Sequence, residues 1–111
     1  MKTFGMTLNL KDDSEIIEKY KEHHRNVWPE VEEALGEVGI TGMKIWLLGC
    51  RMFMTMETGD EFEPARDFMT YLEQHPKCKE WDDLMCTFQE KVPEAKEKEW
   101  WAMMEQVYDL N

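Results

Sequence analysis

Serine is almost absent from this chain: Ser14 is the only one in 111 residues. It sits beside Asp12 and Asp13 at a helix start, which leaves no free serine for nucleophilic chemistry. Cysteine is also sparse. Cys50, Cys78 and Cys86 form no CxxC pair, and one is left over under any pairing scheme, which predicts free thiols in a reducing, cytoplasmic setting. Cations are few, 13 Lys and Arg against 24 Asp and Glu, for a net charge of -11. That balance disfavours nucleic acid and anionic membrane surfaces, both of which are bound through positive charge. No apolar run approaches the roughly 18 residues of a membrane span. The opening MKTFGMTLNL lacks a long hydrophobic region and a small-residue cleavage site, so it does not read as a signal peptide. HExxH, GxGxxG and P-loop motifs are missing as well. What remains is a neutral small molecule, or another protein, as partner.

The rest of the composition is that of a folded domain. Hydrophobic residues make up 42% and five are tryptophan, enough for a core in one domain spanning 1–111. The ten methionines read as adaptable core filling.

Phe4, Met6, Leu8 and Leu10 alternate with Thr3, Gly5, Thr7 and Asn9, the period of a strand with one apolar face. A cap at Asp12, Asp13 or Ser14 opens a helix carrying Ile16, Ile17, Tyr20 and His24 on one stripe. Pro29 forces a bend near Trp28 and restarts a second helix, which Gly36 or Gly39 ends. "GMKIWLLGCRMFMTMETG" reads as a hairpin turning at Gly49-Cys50. Phe62, Ala65, Phe68, Met69 and Leu72 mark a third helix, stopped at His75-Pro76. Trp81, Leu84, Met85 and Phe88 mark a fourth. "KVPEAKEKE" is a charged loop, and "WWAMMEQVYDL" is a last strand. The order strand, helix pair, strand, strand, helix pair, strand predicts an α+β, ferredoxin-like (split βαβ) fold with a four-stranded antiparallel sheet. Ile45 and Leu47 against Trp46 and Leu48 make both faces of the hairpin apolar. A second subunit over the bare face, a homodimer forming an α/β barrel, is the simplest cover.

The stretch "YKEHHRNVWPEV" holds the candidate chemistry. Tyr20 and His24, four residues apart, share a helix face, and Trp28 follows at another interval of four. His23, about 100° round the helix, is expected in solvent. His24 lies near a helix C-terminus, where the dipole favours imidazolium, and a pKa raised in this way suits a general acid. Spacing alone does not separate this from an ordinary packed helix face. His75 before Cys78 makes a poor nucleophile–base pair across a proline, and His23, His24 and Glu30 match no metal pattern.

From Tyr20 to Glu30 the pattern Y-x-x-x-H-x-x-x-W-P-E resembles the signature of the L-rhamnose mutarotase family. Weaker matches follow over Ile45 to Glu57, at "CKEW" (Cys78 to Trp81) and at Met85, so the resemblance spans nearly the whole chain. It implies a dimeric ferredoxin-like barrel that interconverts α and β pyranose anomers of a 6-deoxy monosaccharide without metal or cofactor. It also implies His24 as proton donor, Tyr20 as a sugar-binding tyrosine and Trp81 as the first of two adjacent pocket tryptophans. Two positions depart. Asp82 replaces the second tryptophan and Met43 replaces another sugar-contacting tyrosine, so L-fucose stands beside L-rhamnose as substrate. Mutarotation needs an acid at the ring oxygen and a base at the anomeric hydroxyl, and no nucleophile or redox group. Trp28 or Trp81 would stack on the sugar's apolar face; the base is unassigned. The rivals are a non-catalytic sugar- or ligand-binding module and a cofactor-free monooxygenase of the same architecture. The monooxygenase calls for a deep, mostly apolar pocket, whereas a sugar site should be polar and partly wet.

Overall fold

The computed structural model describes residues 1–111. In chain order it runs β1 (Lys2–Leu10), α1 (Ser14–Arg25), α2 (Pro29–Glu37), β2 (Ile40–Leu48), β3 (Arg51–Thr58), α3 (Pro64–Gln74), α4 (Pro76–Phe88), β4 (Gln89–Glu90) and β5 (Ala102–Met103). The sheet is antiparallel, in the order β2-β3-β1-β4, with β5 also on β1. This is the ferredoxin-like arrangement expected from the element order.

Local chemistry sets the boundaries. Asp13 caps α1 by accepting from the Glu15 and Ile16 amides, a contact that supplies partners for otherwise orphaned N–H groups. Trp28 is extended, with φ -61° and ψ 133°, and Pro29 is the first residue of α2, as the residue before a proline must be. His75 is extended too, and its ring accepts the Lys77 amide to start α4. At the hairpin Gly49 has φ +64° while Cys50 stays negative, the combination of a type II′ turn.

Along β1 and β3, side chains alternate between two faces. Met6, Leu8, Leu10, Met52, Met54 and Met56 are buried under the helices, and with Met85 of α4 five of the ten methionines are core. Met69, placed on the apolar stripe of α3 by its spacing, is exposed, and Tyr71 is buried instead. The opposite sheet face is uncovered. There Trp46 and Phe53 stack at 5.7 Å, with Leu48 exposed beside them. A Cβ on Gly5 would come within 3.3 Å of the Phe53 ring, so a glycine at that point lets the ring lie across the strand.

The last lane of the sheet differs from the expectation. Only Ala102 and Met103 of the final segment pair with β1, opposite Thr7 and Met6. The other end of the same edge is taken by Gln89 and Glu90, opposite Leu10 and Asn9. Between them the chain leaves the sheet through turns at Val92–Ala95 and Lys96–Glu99. Beyond Met103 the chain is exposed, and it carries Val107, Tyr108 and Leu110 bare.

Candidate active site

The helix-covered face of the sheet does not fill completely. Between β2, α1, α2 and α4 lies a cavity of about 440 Å³. A neighbouring chamber, also about 440 Å³, extends toward α3 and the loop before β5. Tyr20, His24, Met43 and Trp81 line both.

Helical spacing brings Tyr20 and His24 together as expected, with ring centroids 4.3 Å apart. His24 Nδ1 lies 2.9 Å from the Tyr20 carbonyl oxygen. A carbonyl can only accept, so Nδ1 carries the proton and the lone pair of the neutral ring is on Nε2. Trp81, on α4, sets its ring 5.6 Å from His24 at a steep angle. Trp28 stands 5.1 Å from Trp81, with Lys77 Nζ over its own ring. It buttresses Trp81 and lines neither chamber. His23 is not free in solvent. It meets Phe88 at 5.7 Å and Trp81 at 6.1 Å, because α4 packs against the end of α1 broadly enough to touch two positions about 100° apart.

Protonation differs from the helix-dipole expectation. Burial lowers the pKa of His24, the bond to the Tyr20 carbonyl offsets this in part, and His23 lowers it further. Desolvation disfavours the cation more than the exposed end of a helix dipole can favour it. The imidazole is therefore neutral at pH 7, a base in its resting state. Burial also pushes the Tyr20 phenol up to about 12, against a lowering by the Gln89 side chain, so Tyr20 holds its proton.

The two departures both face the cavity. Met43 lines both chambers and Asp82 the second. Burial, with Asp83 beside it, raises the Asp82 pKa. The walls are mostly apolar or aromatic, the character expected of the monooxygenase rival rather than of a sugar site, and the polar groups of the second chamber include Tyr20, His24, Asp82 and Gln89, with Lys98 and Glu99 from the loop before β5. His75 and Cys78 form no reactive pair: His75 caps α4, and burial raises the Cys78 thiol. No three His, Cys, Asp or Glu side chains gather into a metal site.

Sequence reasoning missed Gln89, Trp100 and Trp101, all on the second chamber. The adjacent tryptophans at the end of a charged loop were the available signal; Gln89 gave none.

The model of a family described as L-rhamnose mutarotase matches residues 3–110. A UPF0734 protein of Dictyostelium discoideum is 49% identical over 113 residues, covering 99% of this chain and 90% of that protein. An L-fucose mutarotase of Xanthomonas campestris pv. campestris is 31% identical over 113 residues, covering 100% of this chain and 90% of that enzyme. Among solved structures, the L-rhamnose mutarotase of Formosa agariphila superposes with a TM-score of 0.72 at 18% identity, over 100% of both chains. The tetracenomycin F2 cyclase of Streptomyces glaucescens gives 0.65 at 15% identity, over 100% of this chain and 98% of that one. At those identities the two likenesses establish the fold alone, and one architecture serves distinct chemistries.

Proposed function

The chain belongs to the L-rhamnose mutarotase family of carbohydrate isomerases, and we propose that it interconverts the α and β pyranose anomers of L-rhamnose or L-fucose by acid–base proton transfer, without a cofactor. The observation that carries this reading is an imidazole and a phenol with ring centroids 4.3 Å apart on one cavity wall beside a tryptophan. His24 takes the proton of the anomeric hydroxyl through Nε2 while Tyr20 gives its own to the ring oxygen. The C1–O5 bond breaks and the open aldehyde forms. Rotation about C1–C2 presents the other carbonyl face. On closure the C5 hydroxyl attacks C1 and returns its proton to Tyr20, and His24 protonates the new anomeric oxygen. His24 is thus base in opening and proton donor in closing, as microscopic reversibility requires. Each positioned group contributes about 10² to 10⁴-fold. Trp81 packs against the apolar face of the sugar.

The identity of the relative from Xanthomonas, together with Met43 and Asp82 in the cavity, favours L-fucose over L-rhamnose. The uncovered sheet face with Trp46, Leu48 and Phe53 favours an isologous homodimer. Residues 1–111 act as one mutarotase-like domain, and the three free cysteines suit the cytoplasm.

The test is His24→Ala, checked by circular dichroism for an intact fold. Catalysed anomeric exchange should fall at least about 10²-fold; full activity in the folded variant would remove His24 from the mechanism. Saturable sugar binding with no catalysed exchange in the wild type would instead establish a binding module.

A further inference from the structure

Gln89 stands where α4 passes into β4, 5% exposed. Its side chain makes two hydrogen bonds. Trp100 Nε1–H donates to Oε1 at 2.7 Å, and Nε2–H donates to Tyr20 Oη at 3.3 Å. An indole nitrogen only donates, so the amide cannot turn over without setting N–H against N–H. Trp100 therefore fixes which end of the amide meets the phenol. Because that end only donates, the phenol oxygen must accept, and its own proton is not consumed by Gln89. No other hydrogen bond engages Oη, and Tyr20 lines both chambers.

We propose that Gln89, locked by Trp100, is a positioning residue that keeps the Tyr20 hydroxyl proton turned into the cavity and supports the phenol oxygen as that proton leaves. The role presupposes the ring-opening chemistry above. As Tyr20 protonates the ring oxygen, negative charge grows on Oη, and a preorganised N–H aimed at it is worth most at that moment. The same contact already lowers the Tyr20 pKa against the effect of burial. The ionisable groups around this chain of bonds are Tyr20 and His24 from α1, Tyr71 from α3, Asp82 from α4, and Lys98 and Glu99 beside Trp100.

Gln89→Glu tests the direction of the bonds. The carboxylate still accepts from Trp100, but it now accepts from Tyr20 as well, drawing the phenol proton out of the cavity. Protonation restores a donor. At about pH 8 kcat should fall on the order of 10- to 100-fold, below the roughly 10² to 10³-fold cost of losing an oxyanion donor, with KM little changed. The deficit relative to wild type should narrow as pH drops toward about 5, where a glutamate near its ordinary range begins to protonate. Gln89→Leu should lose kcat by a ratio that does not vary with pH. Trp100→Phe, which keeps an aromatic ring but removes the N–H together with the rest of the pyrrole ring, should lose several-fold and carries the test if Gln89→Glu does not fold. A wild type that speeds no anomeric exchange overturns the activity and this role together. A wild type that is active while Gln89→Glu, or Trp100→Phe in its place, tracks it at every pH overturns the role alone.

Discussion

Removing a single oxygen, in Tyr20→Phe, separates stability from catalysis at this site. The ring stays where it is, edge-on to Phe88 at 6.3 Å and against His24, so packing changes little. What is lost is the acceptor of a side-chain N–H of Gln89, a residue only 5% exposed. An orphaned buried donor costs about 1–3 kcal/mol. In a domain near this length each kcal/mol moves Tm by several degrees, so the melt should fall by about 5–15 °C. The control is the same change in a Gln89→Leu background, where no donor remains to be orphaned. There Tyr20→Phe should cost close to nothing, giving a coupling of roughly 1–3 kcal/mol in a double-mutant cycle. Thermal melts of the four proteins by circular dichroism read it directly. Exchange rates on the same samples should fall about 10² to 10⁴-fold with Tyr20→Phe in either background. Equal stability penalties in the two backgrounds would refute the hydrogen-bond chain. Unchanged exchange in the folded single variant would refute Tyr20 as the acid.

Three further outcomes follow from named contacts. The pH profile of kcat/KM should lose activity only as pH falls below 6.5, because burial lowers the His24 pKa from that value and the base must be neutral; an acidic limb above 6.5 would restore the helix-dipole picture. Trp46→Glu places a charge on the uncovered sheet face and should convert a species of twice 13.3 kDa to a monomer in light scattering, whereas an unchanged mass would move the dimer interface elsewhere. Asp13→Ala removes the acceptor of the Glu15 and Ile16 amides and should lower stability by about 0.5–2 kcal/mol in urea titration; no shift would mean that water replaces the cap fully.

What was legible in the sequence was whatever has a period or a breaker. β1 and the hairpin alternate in register with the sheet, Pro29 marks a helix start and His75-Pro76 a helix stop, and the four-residue step from Tyr20 to His24 sets both on one wall. The fourth lane was not legible, because Gln89–Glu90 and Ala102–Met103 are too short to show alternation and their pairing is decided by the free edge of β1. His23 was misjudged because α4 crosses the end of α1 and makes contacts that depend on tertiary packing, and the same helix places Trp81 against Trp28. The direction of the His24 shift turned on burial, which no local rule supplies, and it outweighed the dipole that a local rule does supply. Gln89 carried no signal because an amide's orientation is fixed by a partner eleven residues on, the Trp100 indole.

The most direct measurement is exchange NMR on the anomeric protons of L-fucose and L-rhamnose at neutral pH, with wild type, His24→Ala and no protein. Exchange cross-peaks that appear only with wild type, stronger for L-fucose, are the predicted result. A folded wild type that leaves both sugars at their spontaneous rate would contradict the account.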